Sequence, residues 1–287
     1  MPVIDGKAWP EMVHRYFAGT LGLLILGLAV IAIKNRSTEN YPFRQSLFMF
    51  VLVVWQALFG MWTVTLKLWP QVVTLHLLGG FTTFALLVVL AQRLTEYRWT
   101  SGEAVIRQLM NLKPWLIGGI LVVAGQVFLG GWIASNYAAF GCPPKEFPSC
   151  FGTYWPEMDF AHGFNIAQSI GPNYLGGLME SEGRTAIHYV HRIGALITTV
   201  YLVLVFIKAM KIGFQPLVRL SYLMLSVLLV QLVLGISNVM LVLPLSIAVA
   251  HNLFGAFLVA VVASMSLQCH RARDQLAEAD TETEQQS

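Results

Sequence analysis

Four of the seven histidines in this chain, His14, His76, His191 and His251, stand inside stretches so apolar that an ionisable side chain there needs a reason. Within a bilayer such residues are costly and mark functional positions by default. Their spacing is matched: His14 to His76 spans 62 positions and His191 to His251 spans 60. Two imidazoles presented at one level by two helices suit axial ligation of a haem iron from opposite faces. Gly79 and Gly80 after His76, and Gly255 after His251, remove side-chain bulk one turn along, which would let a flat macrocycle approach the backbone. A lone membrane histidine is more often a satisfied polar group joining two helices, but four at matched positions weigh against that reading. Zinc is a weaker rival, because it wants a third and fourth ligand at each site and only Glu11 and His188 stand nearby.

The neighbours of these histidines are not equivalent. Glu11 lies three residues before His14, on the same helical face, whereas His188 holds that position before His191. A carboxylate beside one pair alone gives the pairs different work: acid–base or radical-stabilising chemistry at one, storage or transfer of electrons at the other. The plainer role for Glu11 is a cap at a helix N-terminus, where acids are favoured by the dipole. Arg15 and Arg192 follow the first histidine of each pair. They either meet haem propionates, which suit bidentate guanidinium contacts, or snorkel outward to headgroups. His188 is an alternative ligand to His191, though the shared Val-His-Arg triplet favours His191. His162 and His270 have no counterpart and are expected to be solvated.

The elements that carry these residues follow from composition. Of 287 residues, 56% are hydrophobic and 11% charged, against roughly 25% charged in a soluble domain, and the mean hydropathy is +0.64. The net charge of +3 comes with no basic stripe interleaved with aromatics, so nucleic acid is not an expected partner. Seven segments reach the ~20 helical residues that a ~30 Å core demands: Met12–Ile33, Ser46–Thr65, Val72–Leu94, Trp115–Ser135, Thr185–Ala209, Leu217–Met240 and Ser246–Gln268. The fold class is therefore an all-α polytopic membrane protein. Residues 269–287 are polar and acid-rich and are expected to be a disordered tail.

Lysine and arginine counts in the connections set the orientation. Lys34, Arg36, Arg44, Arg93, Arg98, Arg107, Lys113, Lys208 and Lys211 gather on one side, with Arg271 and Arg273 in the tail. Lys7, Lys67, Lys145 and Arg184 are on the other. The N-terminus is expected outside and the C-terminus in the cytoplasm. The long loop 136–184 is then outside, where Cys142 and Cys150 could form a disulfide.

The chain also repeats itself. MVHRYFAGTLGLLILGLAVIAIK from Met12 reads like YVHRIGALITTVYLVLVFIK from Tyr189, and TLHLLGGFTTFALLVVL from Thr74 like VAHNLFGAFLVAVV from Val249. WQALFGMWTV from Trp55 matches VQLVLGISNV from Val230, and a third Gln-x-x-x-Gly occurs at Gln126 and Gly130. Two parallel-repeat half-bundles are expected: residues 1–114 with three helices and residues 115–268 with four. The first half lacks a counterpart of Trp115–Ser135. The expectation is a 4+4 pattern whose first helix lies upstream of an internal start at Met1; a true seven-helix variant is the other reading.

EMVHRYFAGTLG, TLHLLGG, YVHRIGAL and AHNLFGAF, together with CPPKEFPSC and YWPEMDF, resemble the haem A synthase family from Trp9 to about Gln268. The resemblance implies eight helices in two four-helix halves in a bacterial inner membrane. It implies oxidation of the C8 methyl of haem O to the formyl group of haem A, by successive hydroxylations with oxygen from water, in cytochrome oxidase assembly. Carried over, His191 and His251 would ligate a haem b cofactor, and His14 and His76 would hold the substrate haem O, with Glu11 as the catalytic carboxylate. Cys142 and Cys150 match the family's C-terminal outer-loop disulfide. The farnesylating haem O synthase would be the donor partner, and homo-oligomerisation is left open. The chain departs from the family in lacking its first helix, and the second cysteine pair that some members carry there is not visible. Four helix-borne histidines alone would also serve a dihaem cytochrome b that transfers electrons, or a haem carrier. Glu11 and the unequal halves favour the enzyme.

Overall fold

Helix is the form imposed on these apolar segments, because hydrocarbon offers no water to satisfy a free backbone N–H or C=O. The computed structural model describes residues 8–38, 41–95, 98–171 and 179–286, with side chains over the same ranges except at 8 and 273–286. Lys7 and residues 172–178 of the long loop, which entered the charge and loop expectations, lie outside the described residues. Within these limits the chain forms eight α-helices and no strand. They are α1 (Ala8–Lys34), α2 (Phe43–Thr65), α3 (Pro70–Leu94), α4 (Glu103–Ser135), the short α5 (Phe160–Gly163), α6 (Ser181–Ile212), α7 (Gln215–Met240) and α8 (Leu245–Gln286). All but α5 are long and apolar enough to cross a membrane. The chain is an all-helical, multi-spanning membrane protein.

Helices α4, α6, α7 and α8 close a ring in which each packs on the next and α8 returns to α4. Their shared core contains Leu116, Leu202, Met224 and Met265, all fully buried. Helices α1, α2 and α3 form an open row with a smaller core of Ile25, Met49 and Leu90. The row joins the ring through α3, which packs on both α4 and α8. Polar pairs pin that junction at both ends: Thr74 to Ser135 at 3.1 Å, and at the far end Gln92 to Ser264 at 2.9 Å and to Gln268 at 3.2 Å.

Two helices run further than the apolar windows indicate. α4 starts at Glu103 rather than Trp115, since Glu103 and Arg107 pair along its exposed face while Ile106, Leu109 and Leu112 bury the opposite one. α8 does not end at Gln268, and the expected disordered tail is helical to Gln286. Cys269 and Ala272 are fully buried, and Arg271 donates to the Gln92 carbonyl at 2.8 Å. His270, expected to be solvated, is half-buried and lies 3.2 Å from Lys113 Nζ. A polar composition rich in Ala, Arg, Gln and Glu has good helix propensity, which the hydropathy argument passed over.

The α2–α3 and α7–α8 connections are the same turn. Each places two consecutive non-glycine residues in the left-handed region, Lys67 and Leu68 (φ 51° and 60°) and Val242 and Leu243 (φ 62° and 56°). Each closes with one backbone bond, Leu68 N–H to Thr63 O at 2.8 Å and Leu243 N–H to Asn238 O at 2.7 Å. A proline stands in the first turn of the next helix or just before it, Pro70 and Pro244. The left-handed region costs an L-residue about 1 kcal/mol or more, most for a β-branched one. Val242 is 52% exposed, so Val242→Asn is expected to raise the melting temperature by a few degrees. A lowered melting temperature would show that Val242 packs for more than its strain costs.

In the long loop, Asp159 caps α5, and its carboxylate accepts both the His162 backbone N–H and the ring Nδ1–H. These bonds hold His162 above its ordinary pKa of 6.5 and Asp159 below its own. The pairing is present below the ordinary histidine pKa and is lost as pH rises through the raised one. An NMR titration of His162 is expected to give a midpoint above 6.5 that falls back in Asp159→Asn.

Candidate functional site

Three of the four histidines meet a neighbouring helix in the same way. His76 on α3 lies against Gly60 of α2, His191 on α6 against Gly130 of α4, and His251 on α8 against Gly235 of α7. A Cβ on each glycine would stand 3.2, 3.4 and 3.3 Å from the imidazole Cε1. Four residues before each of these glycines is a glutamine, and its side chain packs onto a glycine of the histidine's own helix: Gln56 onto Gly79, Gln126 onto Gly194, Gln231 onto Gly255. The contact is reciprocal, ring to glycine and amide to glycine, across an antiparallel pair. Gly79 and Gly255 were expected to leave room for a macrocycle. They are filled instead by Gln56 and by Gln231 with Phe81, and among the glycines beside the histidines only Gly80 faces open space. In the sequence, Gln-x-x-x-Gly is a mark of repetition. Its occurrence once per histidine-facing helix was the signal that it serves the histidines.

The first pair comes together as its spacing indicates. The His14 and His76 rings are 6.4 Å apart, centroid to centroid, at an interplanar angle of 78°. His14 is exposed and His76 half-buried, with the His76 Nδ1 buried and unpartnered among the described residues. Glu11 is turned to Arg15, whose Nη2 donates to its carboxylate at 2.6 Å. Both side chains are about half exposed (52% and 54%). Arg15 thus engages the carboxylate one turn before it.

In the second pair, His191 stands on α6 and His251 on α8, each laid against the glycine of its own neighbouring helix. Gln126 Nε2 donates to the His191 carbonyl oxygen at 3.1 Å and lies 3.2 Å from its ring Nδ1. The His251 Nδ1 is buried and unpartnered among the described residues. His188 is engaged elsewhere: it is 3% exposed and donates from Nδ1 to the Ala138 carbonyl at 3.1 Å, tying α6 to the 3₁₀ turn Ala138–Phe140.

Arg192 is held by the loop that carries the cysteines. Cys142 and Cys150 form a disulfide. Arg192 Nη1 donates to the carbonyls of Pro148 and Ser149 at 3.2 and 3.1 Å, with its guanidinium 5.4 Å from the Phe147 ring centroid. Its Nε and Nη2 are buried without partners among the described residues. His162, 77% exposed, stays apart from both pairs. Among the described residues no three or more His, Cys, Asp or Glu side chains gather as zinc ligands would.

The family described as cytochrome oxidase assembly protein matches residues 2–263. A relative named heme A synthase from Shewanella oneidensis is 41% identical over 246 residues, covering 86% of this chain and 72% of its own. The heme A synthase of Wolbachia pipientis subsp. Culex pipiens is 29% identical over 261 residues, with 86% and 70% covered. That of Flavobacterium johnsoniae is 22% identical over 280 residues, with 91% and 73% covered. With helix-borne histidine pairs, a disulfide-closed loop and a match over nearly its whole length, the chain belongs to the haem A synthase family of cytochrome oxidase assembly proteins.

Proposed function

We propose that this chain is an oxidoreductase that converts haem O to haem A, with the His14–His76 pair holding the substrate and the His191–His251 pair holding a haem b. The 6.4 Å separation of the first two imidazoles carries the reading. His14 and His76 are the residues that would hold the haem iron between them, since paired imidazoles from two helices suit that ligation. The Nδ1 atoms of His76 and His251, buried without a partner among the described residues, support the same reading, since a buried polar atom left unpaired is costly and calls for a group the protein itself does not supply. So do the spare Nε and Nη2 donors of Arg192, which suit a propionate. The haem b, when bound by His191 and His251, supplies one-electron chemistry.

At the substrate, conversion of the C8 methyl to a formyl group takes one oxygen from water and releases four electrons and four protons in two oxidation stages. The electrons pass to an acceptor outside the chain. Glu11, one turn from His14, is the group placed to take protons, and the Arg15 guanidinium holds its carboxylate in one orientation. The second pair has His188 in the corresponding position, committed to the Ala138 carbonyl, so acid–base chemistry is assigned to the first pair alone. The lysine and arginine bias favours the Cys142–Cys150 loop outside a bacterial inner membrane and the C-terminus in the cytoplasm.

Membranes containing the full chain and supplied with haem O are expected to accumulate haem A or its hydroxylated precursor, read by chromatography of extracted haems. Glu11→Gln is expected to lower conversion by about a hundredfold or more, with haem b retained. Two bound haem b groups and no conversion by the unaltered chain would make it an electron-transfer cytochrome instead.

The glycine contacts give a second test. Gly235→Ala places a Cβ 3.3 Å from the His251 ring, so the imidazole must move by a few tenths of an ångström. The low-spin ferric EPR g-values and midpoint potential of the bound haem b are expected to shift. Gly125→Ala on α4, with nothing within 4 Å, is expected to leave both unchanged. Equal responses from the two variants would sink the assignment.

A further inference from the structure

At the end of the bundle opposite the disulfide loop, three arginines from three places in the chain line one cavity. It has a volume of about 280 Å³ and is lined by Arg36 after α1, Arg44 at the start of α2 and Arg93 at the end of α3, with Tyr41 and Gln45. No acidic side chain lines it among the described residues. Arg93 Nη1 donates to Gln45 Oε1 at 3.2 Å, and Gln45 Nε2 donates in turn to the Leu86 carbonyl at 3.0 Å. One guanidinium is therefore fixed in place by a chain of bonds that ends on the backbone of α3. The N-terminus of α2 opens beside it without any side-chain cap; the Phe43 N–H is taken by the Tyr41 carbonyl at 2.7 Å, and the positive end of the helix dipole remains.

Arginines at one end of a membrane bundle are usually orientation signals, free to snorkel separately. Here they are gathered from the ends of three spans, and one of them is braced away from free motion. Several arginines around one cavity, one of them held in place, beside a helix N-terminus suit a phosphate. Basic pockets between transmembrane helices at the membrane surface bind anionic headgroups. We propose that Arg36, Arg44 and Arg93 form a binding site for a phosphate group, presented by an anionic phospholipid headgroup or as the free ion.

The two sources are separated with the full chain in detergent. Native mass spectrometry after addition of phosphatidylglycerol or phosphatidylcholine reads lipid retention, and calorimetry with inorganic phosphate reads the free ion. Retention of phosphatidylglycerol over phosphatidylcholine by on the order of tenfold would establish the lipid source. Phosphate binding without that preference would establish the free ion. In either case the combined variant Arg36→Gln, Arg44→Gln, Arg93→Gln is expected to abolish the effect. Arg44→Gln alone, at an exposed position, is expected to weaken it severalfold should the triple variant not fold. Glu39, near Arg36 and Arg44 in sequence, lies outside the described residues. If the unaltered chain binds neither ligand, and only Glu39→Gln does, the site is already neutralised and the proposal fails. It fails equally if the arginine variants retain anions as the unaltered chain does.

Discussion

An imidazole ring laid against the bare backbone of a neighbouring helix is the contact on which the rest of this structure depends. Glycine permits it without displacing the ring, and the three instances at Gly60, Gly130 and Gly235 set a close separation for three helix pairs. The return contact, a glutamine amide over a glycine, locks the axial register of each pair as well as its spacing. In lipid there is no hydrophobic force between helices, so close approach at small residues and polar contacts must do the work of association. The polar side chains that could ligate a cofactor are thus also the ones that assemble the bundle. Preorganisation of the site and stability of the fold rest on the same atoms.

The junction between the open row and the closed ring obeys the same economy. Thr74 with Ser135, and Gln92 with Ser264 and Gln268, bridge α3 to α4 and α8 at opposite ends. Between them the packing is aromatic, Phe84 meeting Phe257 edge to face at 5.4 Å. α3 and α8, the helices that bear His76 and His251, lie against one another, so the two histidine sites share a packed interface.

Much of this was legible in the sequence, for identifiable reasons. Apolar runs are a strong signal because the membrane permits one solution, and the seven spans follow from it. The histidine pairs were visible because an ionisable group in an apolar run is conspicuous. The extensions of α4 and α8 were hidden because hydropathy measures span, not helicity, and Glu103–Leu112 and Cys269–Gln286 are helical without being uniformly apolar. The uses of Gly79 and Gly255 were misjudged because a glycine announces a close approach without naming the partner. Arg192 shows the same limit: its position after His191 pointed to the site, while its bonds to Pro148 and Ser149 belong to a loop over forty residues away in the chain.

The repeated turn has a consequence for how such a chain can change. Leu68 and Leu243 close their turns, and His76 and His251 each follow eight positions later. Because each residue advances a helix by about 100°, inserting or deleting one residue between turn and histidine would swing the imidazole off its glycine by more than a quarter revolution. The length of that interval is therefore an angular setting, and the two halves keep the same phase. Side chains there are free to vary in kind, whereas their number is not.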